Sequence, residues 1–566
     1  MYSPLIWIIV SLIIIFAIAI IILSEYWNIE KNWIFGLISI LVIYYIIMIL
    51  PVIRGYYIFA NGSSDIFAHL NWTQYVLNNG TINTVYPGFH ILLAHFQLLT
   101  IIPIEKIALL IYPFFSILYI LFLGILSKTI QRGRISNIPL LFAIPLLYGS
   151  LHLEIRPFTI AVFFIPLYYY FIIKLLHGRN KFSFQLLIII LSFCIVFLHQ
   201  MITVILIILL LFFLLTNFVI SQYEFRIPWW RCQLLNIIGI LVISFSIWYL
   251  LFSGFLSTIK KLIEAFFQDT SISIIEHQTE ILKVTGVDSL YVLKLFVLNY
   301  GTISLYLLFG IICTLFYIGS NIQKRRIIHV DFYFSIQYFI GIIISLLFLT
   351  GYFGIFEPLR ALSPAILVAT IAIIIIIPNF IYELSLKIGR RNILSIFFVI
   401  LTIIILLQLF TIYDSPVRSV PSKHFSYSEK NGVDWLIQFK ENYIPVLLFS
   451  NSLSYRKYEL FDQEQHFSRT HTTQTIEYFR NIIPSHFGFD THTTLSKSID
   501  INDYYFIATE RSRLNHYAVP DHRREQLPKI THADFERLHQ DNSINLLYKN
   551  CEFEVWSSSI FHNLTS

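Results

Sequence analysis

Charge is what this sequence has least of. Of its 566 residues only 13% are Asp, Glu, Lys or Arg, about half the share of an ordinary soluble domain. A surface that faces water throughout cannot be built from so few charges, and this excludes a wholly soluble globular protein. Cysteine is scarce as well: Cys194, Cys232, Cys313 and Cys551 are all there are. The first three fall in or beside apolar runs, so neither a disulfide framework nor a cysteine-based zinc site is spelled out. The net charge of +6 is modest, and it reads as loop basicity rather than as a nucleic-acid surface. No internal repeat and no low-complexity linker is visible.

Apolar residues make up 57% of the chain, and they come in long runs. The run "LIWIIVSLIIIFAIAIIIL" at 5–23 matches the roughly 20 residues that a helix needs to cross a hydrocarbon core. It has no basic start, is too long for a signal-peptide core and is followed by no small-residue cleavage site, so it is expected to be a span. About twelve spans are predicted: 5–23, 34–52, 107–128, 138–153, 157–176, 184–198, 201–220, 233–252, 301–319, 332–350, 362–382 and 392–411. The runs at 138–153 and 184–198 are short for the purpose.

The loops test that order. Basic clusters stand at Lys128, Arg132 and Arg134, at Lys174, Arg179 and Lys181, at Arg226 and Arg231, at Lys324 to Arg326, and at Lys387, Arg390 and Arg391. In the predicted order all of them fall on one side. The short loops of the other side carry little beyond Arg156 and Arg360. By the positive-inside rule the basic side is cytoplasmic and both termini lie outside. The expected architecture is a polytopic α-helical protein of the plasma membrane. Residues 1–411 form the membrane domain, with outer loops at 51–106 and 253–300, and residues 412–566 form a small soluble α/β domain outside the cytoplasm. The last region is polar and His-rich. It holds β-like runs at 444–450, 504–509, 544–548 and 553–556, with helix-like stretches at 432–440 and 533–539.

Polar residues gather on the outer side, where ionisable groups at membrane depth signal a cavity or a partner. In the first outer loop Ser63 or Ser64 caps a helix that Asn79-Gly80 ends. Ile66, Leu70, Thr73 and Leu77 form an apolar stripe on it, the pattern of a helix lying along the membrane surface. Asp65 and His69, four apart, share the neighbouring face, and a helix N-terminus favours an ionised Asp65. The plain alternative is an aspartate that only supports capping. A second interfacial helix follows "YPGF" over 90–102. His69, His90 and His95 show no third ligand and read as packing or interfacial groups rather than metal ligands. Three further clusters are His152, Glu154 and Arg156; His199-Gln200; and Glu357 with Arg360. Each has a bland reading: a weak surface ion pair, a tight turn, a snorkelling arginine. An arginine can equally clamp a phosphate.

These segments together resemble the GT-C superfamily of membrane glycosyltransferases. The carriers are the loop aspartate with its two interfacial helices, "YPGFHIL", "EIRPFTIAVFFIPLYYY", "LRALSPAILVATIAIII" and, in the tail, "GVDWLIQF" with "LLYKNCEFEVW". The second and third are similar to segments of protein mannosyltransferases and aminoarabinose transferases, and the tail to the outer domain of archaeal and bacterial members. The resemblance covers most of the chain in layout and about a tenth in motif. It implies a transferase that moves a sugar from a polyprenyl phosphate or diphosphate, by an inverting displacement, to a glycan, lipid or protein acceptor at the outer face. Asp65 would be the base and Arg360 the phosphate ligand. Glu154, Arg156, His199 and Glu357 would line the cavity, and His69 would orient Asp65 or the acceptor. Many relatives carry paired acids where Asp65 stands between Ser64 and Ile66. A second acid would have to come from elsewhere, such as Glu154, Glu264 or Asp269, which leaves a divalent cation, Mg or Mn, open. The Trp-Trp-Asp signature of oligosaccharyltransferases is missing from the tail, favouring transfer of a single sugar. Asn61, Asn71, Asn79 and Asn563 begin glycosylation tripeptides on the outer side.

Two other classes compete. A flippase or transporter of a lipid-linked saccharide usually shows internal repeats and midplane polar sites, and neither is visible. An O-antigen-type polymerase relies on arginine-rich outer loops, whereas the outer loop at 253–300 has lysines and no arginine.

Overall fold

The computed structural model describes residues 4–27, 29, 31–58, 63–82, 84–131, 137–144, 156–177, 181–223, 229–250, 260, 289–324, 330–350, 358–413, 424–441, 444–448, 455, 458–462, 478–479, 483–501, 503–513 and 530–558. Its first half runs α1 (Pro4–Tyr26), α2 (Asn32–Ile53), strand β1 (Tyr56–Ile58), α3 (Ser63–Asn79), α4 (Pro87–Thr100), α5 (Ile104–Ile130) and a single turn, α6 (Ile138–Leu141). Then follow α7 (Pro157–His177), α8 (Lys181–Leu198), α9 (Gln200–Tyr223), α10 (Trp229–Tyr249), α11 (Ser289–Lys324), α12 (Val330–Thr350), α13 (Pro358–Ile388) and α14 (Arg390–Leu409).

Among the described residues ten helices are long and apolar enough to cross a membrane, and Gln233–Tyr249 is a shorter apolar helix. In hydrocarbon every backbone N–H and C=O must be bonded within its own segment, which is why such runs become helices. The chain is a multi-pass helical membrane protein. Of the span expected at 138–153 only the α6 turn and the three residues after it lie within the described residues. The outer loop expected at 253–300 is shorter than predicted, because α11 already begins at Ser289. Lys294 and Asn299 interrupt the apolar run there and hid the helix from a hydropathy reading. At 36 residues α11 is roughly 54 Å long, well beyond the 30 Å or so of a hydrocarbon core.

Helix α13 is apolar on all sides and lies at the centre of the bundle, with Ile366 to Ile377 almost wholly buried, packed by α11, α12 and α14. In lipid, helices associate through close packing rather than hydrophobicity. The pair α1 and α2 shows how: a Cβ on Gly36 would lie 2.6 Å from the Ala17 carbonyl oxygen, so only glycine permits this approach.

The region after α14 contains β2 (Phe425–Ser426), α15 (Tyr427–Phe439), β3 (Val446–Leu448), β4 (Tyr478–Phe479), β5 (Tyr505–Thr509), α16 (His532–Leu538), β6 (Asn545–Lys549) and β7 (Phe553–Ser557). Five strands form a mixed sheet in the order β4-β3-β5-β7-β6. β3 is parallel to β4 and β5, and β7 is antiparallel to β5 and β6. Both faces are covered. Leu447, Phe506 and Trp556 pack with Phe487 and Leu538, while Val446, Tyr505, Ile507 and Val555 join the main core with Val433 and Leu436 of α15. Burial on both faces explains why β3, β5 and β7 read as near-continuous apolar runs.

A clasp ties this sheet domain to the first large loop. β1 pairs antiparallel with β2, Tyr56 opposite Ser426 and Ile58 opposite Phe425, and the Tyr427 amide donates to Gly55 O at 2.9 Å. Around it Tyr57, Phe67, Phe425, Tyr427 and Tyr458 form an aromatic cluster in which Tyr57 stacks on Phe67 and the other contacts are edge-to-face. Lys106 Nζ donates to the Tyr427 hydroxyl and lies over the rings of Tyr57 and Tyr427. Behind the clasp, Glu429 completes a capping box with Ser426, accepts from Tyr455 Oη at 2.9 Å and pairs at 2.9 Å with the buried Arg511.

Candidate functional site

Asp65 stands in the first turn of α3, where the helix N-terminus favours its negative charge. Ile66, Phe67, Leu70 and Thr73 of the same helix are buried. The stripe expected to lie against the membrane is instead covered by protein. α3 packs on α4 and α5, and Phe67 sits among Phe425, Tyr458 and Phe461 of the sheet domain. Asp65 and His69 remain half-buried at the edge of that face.

His69 does not stand alone. Its Nδ1 lies 3.2 Å from Nε2 of His90 on α4, and the two rings stack with centroids 5.4 Å apart. His90 Nδ1 is 3.1 Å from Thr84 Oγ1. Trp72 presents its edge to both imidazoles. His90 is fully buried. Burial pushes its pKa down to about 3, partly opposed by a hydrogen bond to the Tyr86 backbone, so this imidazole is neutral at physiological pH.

The next contact is the corner that opens α4. Tyr86, its N-cap residue, stacks flat on His199 with centroids 4.9 Å apart and planes 4° from parallel. Phe158 meets the same imidazole edge-on at 5.3 Å, and Trp248 Nε1 donates to the Val85 carbonyl at 3.3 Å. Gly88 suits this approach, because a Cβ there would sit a tight 3.1 Å from the backbone of Phe197 at the end of α8. Two residues before Phe158, the buried Arg156 precedes Pro157 at the start of α7, and its carbonyl accepts the Thr159 amide at 3.0 Å. A guanidinium beside a helix N-terminus is an arrangement that attracts anions.

The structure thus links His69 through His90 and the Tyr86 corner of α4 to His199, at the end of the bundle that carries the sheet domain; Asp65 stands one turn before His69 on α3, and Arg156 lies two residues before Phe158, which meets His199. Glu154 and Glu357 lie outside the described residues, as do His152, Glu264 and Asp269. Arg360 is in the first turn of α13. Among the described residues no three His, Cys, Asp or Glu converge on a common point, and the facing nitrogens of His69 and His90 bond each other rather than flanking an ion. The acids that the sequence offers to complete such a site with Asp65 lie outside the described residues. Sequence reasoning took His90 as a packing group and passed over Thr84, Tyr86, Phe158 and Trp248. The spacing of Tyr86 and His90, one helical turn apart around "PGF", was the signal available.

No known family matches the chain, nor does any curated protein sequence. Among solved structures it is similar to the archaeal oligosaccharyltransferase AglB from Archaeoglobus fulgidus in complex with an inhibitory peptide and a dolichol-phosphate. That match has 12% identity and a TM-score of 0.49, and covers 88% of this chain and 71% of that one. It is also similar to ArnT from Cupriavidus metallidurans bound to undecaprenyl phosphate, with 9% identity and a TM-score of 0.39, covering 94% of this chain and 99% of that one. At these identities and TM-scores neither the fold nor the chemistry of those proteins is carried over to this chain.

Proposed function

We propose that the chain is a membrane glycosyltransferase that moves a single sugar from a polyprenyl phosphate or diphosphate to an acceptor at the sheet-domain end of the bundle, the outer face of the membrane. One observation carries the reading. His69 of α3, the Thr84-to-His90 corner and His199 in the turn between α8 and α9, with Phe158 of α7 against it, meet at that end, in segments whose sequence resembles GT-C enzymes. In this reading Asp65 removes a proton from the acceptor hydroxyl or amine. The freed electron pair attacks the anomeric carbon, and the bond to the lipid-phosphate oxygen breaks with inversion. A carboxylate suits the base, and fixed positive charge stabilises the departing phosphate. Arg360 takes that role by its motif, and Arg156 supports it; His199, Glu154 and Glu357 are assigned to substrate binding by the resemblance alone. The acceptor is a glycan, a lipid or a protein.

The test is to incubate purified protein in lipid with a panel of polyprenyl-phosphate sugars and to follow acceptor-dependent release of lipid phosphate. Release with one donor and formation of a glycosidic product are expected. Flux of the intact lipid-linked sugar across vesicles without any product would favour a flippase instead.

A further inference from the structure

Helix α4, at 14 residues, is too short to span a membrane, and its faces differ. Phe89, His90, Leu93 and Ala94 are buried against protein. The face turned away ends in Leu98 and Leu99, and the corner to α5 adds Ile101 and Ile102. Leu98 is 71%, Leu99 80% and Ile101 89% exposed, and contiguous apolar surface of this kind marks an interaction site. No Asp, Glu, Lys or Arg stands between Pro87 and Ile104. The first charges of α5 turn inward: Lys106 donates to the Tyr427 hydroxyl, and a carboxylate oxygen of Glu105 is buried. The corner also needs no water for its amides. Ile101 is left-handed, with φ 61°, a conformation that glycine usually takes at helix ends and that is out of the ordinary for a β-branched residue. There its amide donates to Gln97 O at 2.8 Å. The Ile102 amide donates to Thr100 Oγ1 at 3.4 Å, and Pro103 has no amide hydrogen. Each backbone donor from Ile101 to Pro103 is thus met within the chain or absent, as hydrocarbon requires.

The depth of the corner follows from α5, which is long and apolar enough to cross a membrane. Near its other end Lys128 lies over Trp33, residue types that gather at a membrane boundary. From Lys128 to Ile104 the helix rises roughly 36 Å, against about 30 Å of hydrocarbon, so the corner falls at the opposite boundary. The exposed stripe of α5, Leu110, Phe114, Leu121 and Ile125, is the face it turns to lipid. Exposed Pro103, two helical turns before Leu110, continues that stripe into the corner. We infer that the α4–α5 corner is a membrane-inserted wedge, with Leu98, Leu99, Ile101 and Ile102 among the upper acyl chains of the leaflet on the sheet-domain side. Bilayer lipid is the occupant because the surface is continuous with the lipid-facing stripe of α5 and offers no charge to a protein or a headgroup. The wedge moors α4, which carries Tyr86 at its far end and His90 on its buried face, to the lipid surface. Insertion depends on α5 being a span and not on the transfer reading.

The experiment is electron paramagnetic resonance of the full chain in lipid vesicles, with Cys194, Cys232, Cys313 and Cys551 replaced by alanine and a spin label on Leu99→Cys or Ile101→Cys. Phe114→Cys, on the exposed stripe of α5, is the lipid reference, and Asn79→Cys, at the exposed end of α3, is the water reference. Relaxation is read with oxygen, which concentrates in hydrocarbon, and with a water-soluble nickel chelate. Both corner labels are expected to respond to oxygen as Phe114→Cys does and to stay shielded from nickel. Nickel access equal to that of Asn79→Cys would overturn the wedge and put the corner in water. Shielding from both reagents would overturn it too, and would give the surface to a second copy or another protein. Nickel access at Phe114→Cys itself would overturn the span and the wedge with it, whereas a lipid response there shows that the bundle has inserted. No sugar donor enters the measurement, so a failure of the transfer reading leaves the wedge standing, and the reverse holds equally.

Discussion

His90 and His424 are buried, and burial pushes each pKa down to about 3, aided at His424 by the positive charge of Arg511. In an unfolded chain both would titrate near 6.5. Between those values the unfolded state binds protons that the folded state refuses. Their contribution is thus fully present above about pH 6.5 and is lost as pH falls toward 3, each at about 1.4 kcal/mol per pH unit. The midpoint of thermal unfolding in lipid should fall as pH is lowered from 6.5 to 4.5, less steeply in His90→Phe; equal slopes in the two proteins would contradict the assignment. At this scale the sequence reveals what is local. The four-residue spacing puts Asp65 beside His69, and that much needs no fold. The contact of His69 with His90 spans 21 residues, and the stacking of Tyr86 on His199 spans a far longer stretch of chain. Neither has a periodicity to announce it.

Helix α3 is held from the sheet-domain side through Phe67, two residues from Asp65. Phe67→Ala removes a wholly buried ring from the cluster around Phe425 and Tyr458, a change that costs about 3–5 kcal/mol in a packed core. Amide exchange across 63–79 should rise in that variant while α13 stays protected; unchanged exchange in α3 would show that the clasp does not hold it. The ion pair behind the clasp makes a second prediction. Glu429→Gln leaves Arg511 buried without its carboxylate, and breaking such a pair costs about 3–5 kcal/mol, to be read as a lowered thermal midpoint of the sheet domain. A midpoint equal to the wild type would contradict it. Elements were legible in proportion to their pattern. The runs read as strands at 504–509 and 553–556 became β5 and β7, because both faces of the sheet are covered and the runs are accordingly apolar. The two-residue β4 and the clasp strands β1 and β2 carry no such signal, since their pairing depends on partners far away in the chain. The start of α11 was missed because Lys294 and Asn299 break hydropathy without breaking a helix.

For the whole molecule, two sets of contacts sort the helix ends. Arg390 bonds the Glu25 backbone and carboxylate, and Lys128 lies over Trp33, so these four share one end. Tyr413 bonds Ile47 O and packs on Trp7, and with the Tyr86–His199 corner and the clasp it belongs to the other. That division puts Lys128 and Arg390 at one end, as the reading of their basic clusters expected. Which end faces outward is open to direct test. Cys551 is exposed in the sheet domain and should react with a membrane-impermeant maleimide in intact cells. The label should vanish in Cys551→Ser. Labelling that requires permeabilised cells would reverse the orientation. The most direct measurement for the account as a whole compares wild type and Asp65→Asn, reconstituted in lipid, for acceptor-dependent release of lipid phosphate from the donor the wild type uses. The account predicts that Asp65→Asn inserts and folds normally but transfers at least about 100-fold more slowly, the scale of a lost general base. Full activity in that variant would contradict it.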